Sequence, residues 1–464
     1  MVYKTYASKC NTITLNSKLN TGLNPISELI YGNSLSRTLI YFDHNELLKY
    51  HKDGTYPYLS KFKHTLKITN SGSVDDSLIF KNDTDKIRAT SFDIILFLIP
   101  KEWDNGKGFD YNKTINSECL SEDGSNWYQA QNGVIWEEQG VYSNDTLLKE
   151  YDKLLFEGYS EIIIGKQHFD IGNENIEIDV TNIFNDFING DLPNYGFGIA
   201  FAPMFENTYL SHDKYIGFFT HKTNTFFEPY IESIYDDYIS DDRSSFFLDK
   251  DNKLYLYCNI GGNLTNLDEL PTCSVDGVNY DVFHYSKGIY YININLPSTK
   301  YKPNIMLYDT WSNIIINGVK QSDVELYFTI KPNNQYFMLG TDIYTPKKVT
   351  PTIYGITENE KIFRNNDIRK VCITSRINYD RYKTLLLDNM QYRIYIMDGN
   401  RELTVIPFTN VNKSYMENYF LLNCNTLLPQ KYHVDIKYIY NQEIITNKNI
   451  LQFHIVDNID YNLK

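Results

Sequence analysis

Apolar and polar positions along this chain change places in short bursts, and the bursts are rich in β-branched and aromatic residues. Residues 12–15, 38–42, 64–68, 92–99, 176–180, 197–201 and 215–220 are the clearest in the first half. Each is bounded by Gly, Asn, Asp or Ser, the signature of a short strand between turns. The rhythm resumes at 254–260, 289–296, 305–309 and 324–330, and again at 370–376, 392–397, 403–407, 420–423, 433–440 and 450–456. The Asp-Gly pair within 397–400 predicts a tight hairpin with glycine in a left-handed conformation. Helical spacing is confined to 43–49 with Asp43 as N-cap, to 145–156, and to 181–188 with Thr181 as N-cap and a stop near Gly190. Short helices joining strands are the reading for all three.

Two polar breaks interrupt the pattern. Residues 236–245 (DDYISDDRSS) read as an acidic linker, and residues 344–351 (YTPKKVTP) carry two prolines and two lysines. A length of 464 residues suggests about three domains. The expected organisation is therefore all-β with minor helix: a jelly-roll sandwich over residues 1–235 and immunoglobulin-like sandwiches over 236–346 and 347–464. The latter two have the size and strand rhythm of that fold without its Cys…Trp…Cys spacing.

Composition narrows the function. Hydrophobic residues make up 42% and charged residues 22%, enough for packed cores and unlike a disordered chain. The net charge of −14 argues against nucleic acid and anionic membranes as partners. The 40 tyrosines suit pleated surfaces and protein interfaces, and an AT-rich genome would also enrich Tyr. The six cysteines are scattered, which predicts free thiols; only Cys258 and Cys273 are close enough in sequence to suggest a disulfide. No apolar leader segment opens the chain, and no run of eighteen apolar residues predicts a membrane helix. The expectation is a protein used in solution, released by lysis or carried in a particle.

Candidate chemistry is sparse. The nine histidines form no HxxxH or HExxH pattern, and no nucleophile elbow, phosphate loop or dinucleotide fingerprint occurs. The dense acidic pairs, Glu137–Glu138, Asp236–Asp237 and Asp241–Asp242, read as solvated surface. Residues 249–252 (DKDN) begin like a calcium loop but lack its later Gly and Glu, and read as a turn. No catalytic residue, metal site or cofactor is expected. The segment 100–140 holds three of the four tryptophans, Trp103, Trp127 and Trp136. They are candidates for a glycan-stacking platform or an interface, and equally for aromatic anchors that fold a long insertion onto a sandwich.

Residues 10–232 resemble the DNRLRE jelly-roll family, which is similar to carbohydrate-binding modules. The features that carry the resemblance occur in order: NTGLN at 20–24, Tyr31-Gly32, Arg37 ahead of the strand 39–43, the strand 92–100, Ser125-Asn126-Trp127, Trp136, Gly140, IDVT at 178–181, NYGFGI at 194–199, and FEPYIE at 227–232. At 221–225 the chain reads HKTNT where that family carries a charged motif. GKGFDY at 106–111, SNWY at 125–128 and WEEQGVY at 136–142 resemble tail structural proteins of crAss-like bacteriophages. That resemblance implies a non-enzymatic component of a virion tail or connector, assembled in the host cytoplasm as a homo-oligomer with other virion proteins. The alternative is a carbohydrate-binding adhesin or receptor-binding tail protein that takes a cell-surface glycan.

Overall fold

The computed structural model describes residues 2–73, 86–109, 121–158, 160–331, 349–354, 356, 361–377, 384–387, 389–414, 417–440 and 443–456. The class is all-β, as expected, with short helices between strands. The chain divides into two compact units: residues 2–48 with 60–235, and residues 49–59 with 236–464.

The first unit is built on an eight-stranded sheet. Its order is Ile176–Asp179, Phe62–Ile68, Tyr230–Tyr235, Val2–Thr14, Ser36–Phe42, Phe197–Phe201, Phe92–Leu98 and Ile163–Phe169. Val2–Thr14 serves both halves: residues 2–6 pair with Tyr230–Tyr235, and residues 7–14 with Ser36–Phe42. A register shift between Ala7 and Lys9 separates the two stretches, and such bulges bend a strand and increase its twist. The outermost strands approach each other. Gln167 Nε2 donates to Asn175 O at 2.7 Å, and Gln167 Oε1 accepts from Glu177 N at 2.7 Å. Gly165 makes this approach possible, since a Cβ there would lie 2.6 Å from Ile178. A second sheet joins Ile26–Tyr31, Asp213–Phe219 and Lys86–Arg88. Phe92, Phe169, Phe201 and Phe218 interlock edge-to-face or stacked, with centroids 5.0 to 6.2 Å apart.

The second unit holds two sandwiches. In one, Phe246–Phe247, Val324–Lys331, Met306–Ser312, Thr272–Val275 and Val278–Tyr280 face the sheet of Asn252–Tyr257, Ile289–Ile294 and Val282–Ser286, over a core that includes Trp311, Phe328, Leu254 and Ile292. The other consists of a sheet with Val349–Tyr354, Ile368–Ile377, Asn418–Asn423 and Asn412–Lys413, and a sheet with Ile362–Arg364, Glu443–Val456, Lys431–Tyr440, Gln391–Asp398 and Arg401–Asn410. The 397–400 hairpin turns on Gly399 at φ 57°, as its Asp-Gly pair predicts.

Several expectations are corrected. Residues 236–245 begin at the boundary between the units, but they are not solvated throughout: Asp236 and Tyr238 are exposed, whereas Ile239, Asp241 and Arg243 are buried. Ile239 O accepts from Lys413 N at 2.9 Å, and Asp241 N donates to Lys413 O at 3.0 Å, so the segment pairs like a strand. Its acidic composition misleads because Asp241 is paired with Arg243 on the same turn. Thr181 is the first residue of helix Thr181–Asn189 and not its cap; its hydroxyl accepts from His64 N at 2.9 Å. Gly190 closes that helix in the left-handed conformation, as expected. Cys258 and Cys273 are both free thiols, not a disulfide, and both lie buried in the sandwich core. The break at 344–351 lies outside the described residues up to 348, and residues 349–351 belong to a strand.

Candidate functional site

Residues 100–109 and 121–156 of the first unit lie over one face of the long sheet and build a second core there. Trp103, Trp127 and Trp136 are 1%, 4% and 3% exposed, packed with Ile95, Phe97, Leu147 and Tyr151 among others. Trp103 Nε1 donates to Tyr195 O and Trp136 Nε1 to Asn126 O, each at 2.8 Å. The polar edges of Trp103 and Trp136 are satisfied and all three rings are buried, so these indoles do not form an exposed platform for a sugar ring. They anchor the insertion.

The sequence motifs around them meet in space. Gly106 and Gly108 press against Asn20, where a Cβ would lie 2.0 Å from its Oδ1 or 1.8 Å from its carbonyl oxygen. Gly108 N donates to Asn20 Oδ1 at 2.9 Å, and Asn20 Nδ2 donates to Asp123 O at 2.7 Å. Asn11 Nδ2 donates to Ser125 Oγ at 2.7 Å. Only glycine lets the backbone come this close. Phe109 ends the described part of this motif; residues 110–120, with Cys119, lie outside it.

Arg37, on strand Ser36–Phe42, is the hub of this end of the sandwich. Its Nε donates to Glu206 Oε1 at 3.0 Å and its Nη2 to Glu206 Oε2 at 2.6 Å. Nη1 donates to Gly140 O at 2.7 Å and Tyr142 O at 2.5 Å, and Nη2 to Asn144 Oδ1 at 2.6 Å. A guanidinium has five N–H donors, and all five are used. The group also lies 5.3 Å from the Trp127 ring centre. Glu206 is brought in by the short helix Pro203–Glu206, and Asn144 by helix Asn144–Phe156, whose N-cap Ser143 accepts from Thr146 N. Above this floor opens a cleft of about 420 Å³, rimmed by the amides of Asn16, Asn33, Gln139 and Asn207, with Tyr209 88% exposed at its edge. Trp127 and Tyr142 also line the cleft, and Arg37 has no donor left for a ligand, so recognition there falls to neutral amides, hydroxyls and aromatic rings, of which Tyr209 is the exposed one.

Three other constellations look chemical and are not. His64 Nδ1 lies 2.7 Å from Ser233 Oγ and its Nε2 lies 3.1 Å from Asn185 Oδ1. The serine and the ring are fully buried in the sheet, and burial pushes His64 down to about 4, so it is a neutral core residue. Cys372 sits with Tyr354, Lys370 and Glu417, but burial first and the Glu417 charge second push its thiol up to about 11. A thiol held protonated is not an activated nucleophile. Residues 249–252 form a turn: Asp249 Oδ1 accepts from Ser298 N at 2.9 Å and Asn252 Oδ1 from Phe247 N at 3.1 Å. Among the described residues no group of three His, Cys, Asp or Glu side chains could hold a metal ion.

Sequence reasoning picked out Arg37 and Gln139 only as parts of family patterns and missed Glu206, Asn207 and Tyr209. The polar run Glu206-Asn207-Thr208-Tyr209, directly after an apolar run, is the local signal that could have found the rim.

No protein-family model matches the chain, and no curated protein matches it. Among solved structures, titin Ig tandem domains A164–A165 match at 10% identity over 46% of this chain and 92% of that one, with a TM-score of 0.15. A DUF4785 family protein from Legionella pneumophila matches at 9% identity over 98% of this chain and 89% of that one, with a TM-score of 0.16. Salmonella alpha-2-macroglobulin matches at 7% over 80% of this chain and 26% of that one, with a TM-score of 0.17. Likenesses at such scores carry no argument about this chain.

Proposed function

We propose that this protein is a structural component of a bacteriophage tail or connector and assembles as a symmetric oligomer through sheet faces. The observation that carries the reading is the outer face of the sheet holding Met306–Ser312 and Val324–Lys331. Tyr308 stands directly opposite Tyr327, with Met306 beside them, and the three are 48%, 65% and 51% exposed. Their neighbours Leu307 and Phe328 point into the core, so the large residues exposed on this face are Tyr and Met, which interfaces favour. The motif resemblance over 106–142 supplies the virion setting. The partner is a second copy of this chain.

Light scattering and electron microscopy of the purified protein test this. A closed oligomer should form, and the double variant Tyr308→Glu/Tyr327→Glu should be monomeric with an unchanged melting temperature. An oligomer that tolerates the double variant would remove this face from the argument.

The cleft over Arg37 favours a second reading, a carbohydrate-binding or receptor-binding tail protein. Side-chain amides both donate and accept, which suits vicinal hydroxyls, and Tyr209 offers an exposed ring. Binding to a glycan array that is lost in Tyr209→Ala and Gln139→Ala, by a wild type that stays monomeric, would shift the assignment to this reading.

A further inference from the structure

The segment 239–245 of the second unit brings Asp241 and Arg243 against Asp309 of strand Met306–Ser312, a cluster of three buried charges. Arg243 Nη1 donates to Asp241 Oδ2 at 2.6 Å and to Tyr255 O at 2.8 Å, and Arg243 Nη2 donates to Asp309 Oδ2. The side chains of Asp241 and Asp309 are fully enclosed, and that of Arg243 is nearly so. Asp241 uses both oxygens, since its Oδ1 accepts from Arg243 N at 3.1 Å. Asp309 Oδ2 accepts a second bond, from Trp311 Nε1 at 2.6 Å, while Asp309 Oδ1 is buried and accepts none. Two carboxylates thus share one guanidinium, and one carboxylate oxygen is bare. Ionising both leaves an excess negative charge out of water, which like charges in one site resist.

The same segment is the joint between the sandwiches. Ile239 N donates to Asn412 Oδ1 at 3.0 Å, Lys413 N to Ile239 O at 2.9 Å, and Asp241 N to Lys413 O at 3.0 Å. The other groups facing the cluster are Asp242 on its own turn, Tyr255 and Tyr257 on Asn252–Tyr257, Cys273 on Thr272–Val275, and Tyr419 and Lys413 from the last sandwich. Burial holds the three phenols and the thiol in their neutral forms. Lys413 donates its amine to Ser245 Oγ at 3.2 Å.

We propose that this cluster is a proton-operated latch: one proton taken from solvent and held by the Asp241–Asp309 pair tightens the grip of residues 239–245 on both sandwiches. Burial pushes Asp241 up to about 6 and Asp309 in the same direction. A carboxylate raised on folding contributes stability that is complete below its unfolded value of about 3.9 and is lost as pH rises through about 6. The latch is therefore tight at pH 5 and slack at pH 7.5. His284 in the same unit is held neutral by burial and opposes this trend as it protonates, so a variant difference is the clean readout.

Hydrogen exchange of the full chain at pH 5.0 and 7.5, with rates divided by the intrinsic ones, tests the latch. Protection of the amides of 239–245 should be about tenfold higher at pH 5.0 relative to Asp309→Asn. That variant suits the test because the bare Oδ1 can become an amide nitrogen without loss of an accepted bond. Equal pH dependence in wild type and variant overturns the proposal. Infrared spectroscopy of the wild type can overturn the latch even if the variant does not fold. The carbonyl stretch of a buried protonated carboxyl should grow between pH 7.5 and 5.0, and its absence overturns the latch.

Discussion

Arg37 in the first unit and Arg243 in the second are both withdrawn from water, yet the surroundings treat them differently. Arg37 meets one carboxylate, Glu206, in a bidentate pair, and its remaining donors end on two backbone carbonyls and an amide. Charge is balanced and every donor is used, which makes it a staple for the insertion that carries the tryptophans. Arg243 meets two carboxylates and leaves an oxygen of Asp309 bare. A balanced buried pair fixes geometry at any ordinary pH, whereas an unbalanced one lets the proton concentration decide how firmly its neighbours are held.

The comparison breaks most visibly if Arg37 is removed. Arg37→Met strands Glu206, and the first unit should lose about 3–5 kcal/mol at neutral pH. Denaturant unfolding followed by the fluorescence of Trp103, Trp127 and Trp136 measures it. The variant should also regain stability on acidification, because the stranded carboxylate then accepts a proton. Adding Glu206→Met should restore much of the loss.

Acidification of the wild type sharpens the contrast between the units. Burial depresses His64 and His221 of the first unit to about 4 each. A depressed histidine contributes stability that is present above its unfolded value and lost as pH falls toward its folded value. Between pH 7 and 5 the charge on His64 alone should cost the first unit about 2 kcal/mol. The Asp241–Asp309 cluster contributes in the opposite sense over the same interval. Exchange measured unit by unit would show the divergence; parallel behaviour of the two clusters would sink it.

Two smaller substitutions probe the staple without touching its charges. Gly140 has φ 74°, and a Cβ there would lie 2.5 Å from the Trp127 ring, so Gly140→Ala should cost about 2 kcal/mol. Ser143→Ala removes the N-cap of helix Asn144–Phe156 and should cost about 1 kcal/mol. Both are read from the midpoint of the same fluorescence transition.

The all-β class was legible because apolar positions recur with the period of a strand, and every strand expected from that pattern overlaps an observed one, with ends off by a residue or more in several cases. The strand Ile26–Tyr31 was missed, since Ser27 and Glu28 break its apolar run. The fate of the tryptophans was not legible. Their spacing says that they cluster, but only the pairing of the long sheet decides which of its faces the insertion covers. Arg37 entered only as part of a family pattern, because its partners lie 103 to 169 residues away. Asp241 looked solvated beside Asp242, because Asp309, which completes its cluster with Arg243, is distant in sequence and reaches it only through the Met306–Ser312 strand. The nearest clue was Arg243 itself, two residues on.

The side chain of Gln167 has a wider consequence. Its amide takes the place of a peptide group between Ile163–Phe169 and the residues 175–177, accepting one hydrogen bond and donating another. The rims of the long sheet are thereby stitched to each other at this point. A foreign strand finds no vacant rung there, so any lattice or ring of such molecules must be tiled by contacts between surfaces at that place, and the growth of ribbons by strand addition is blocked there.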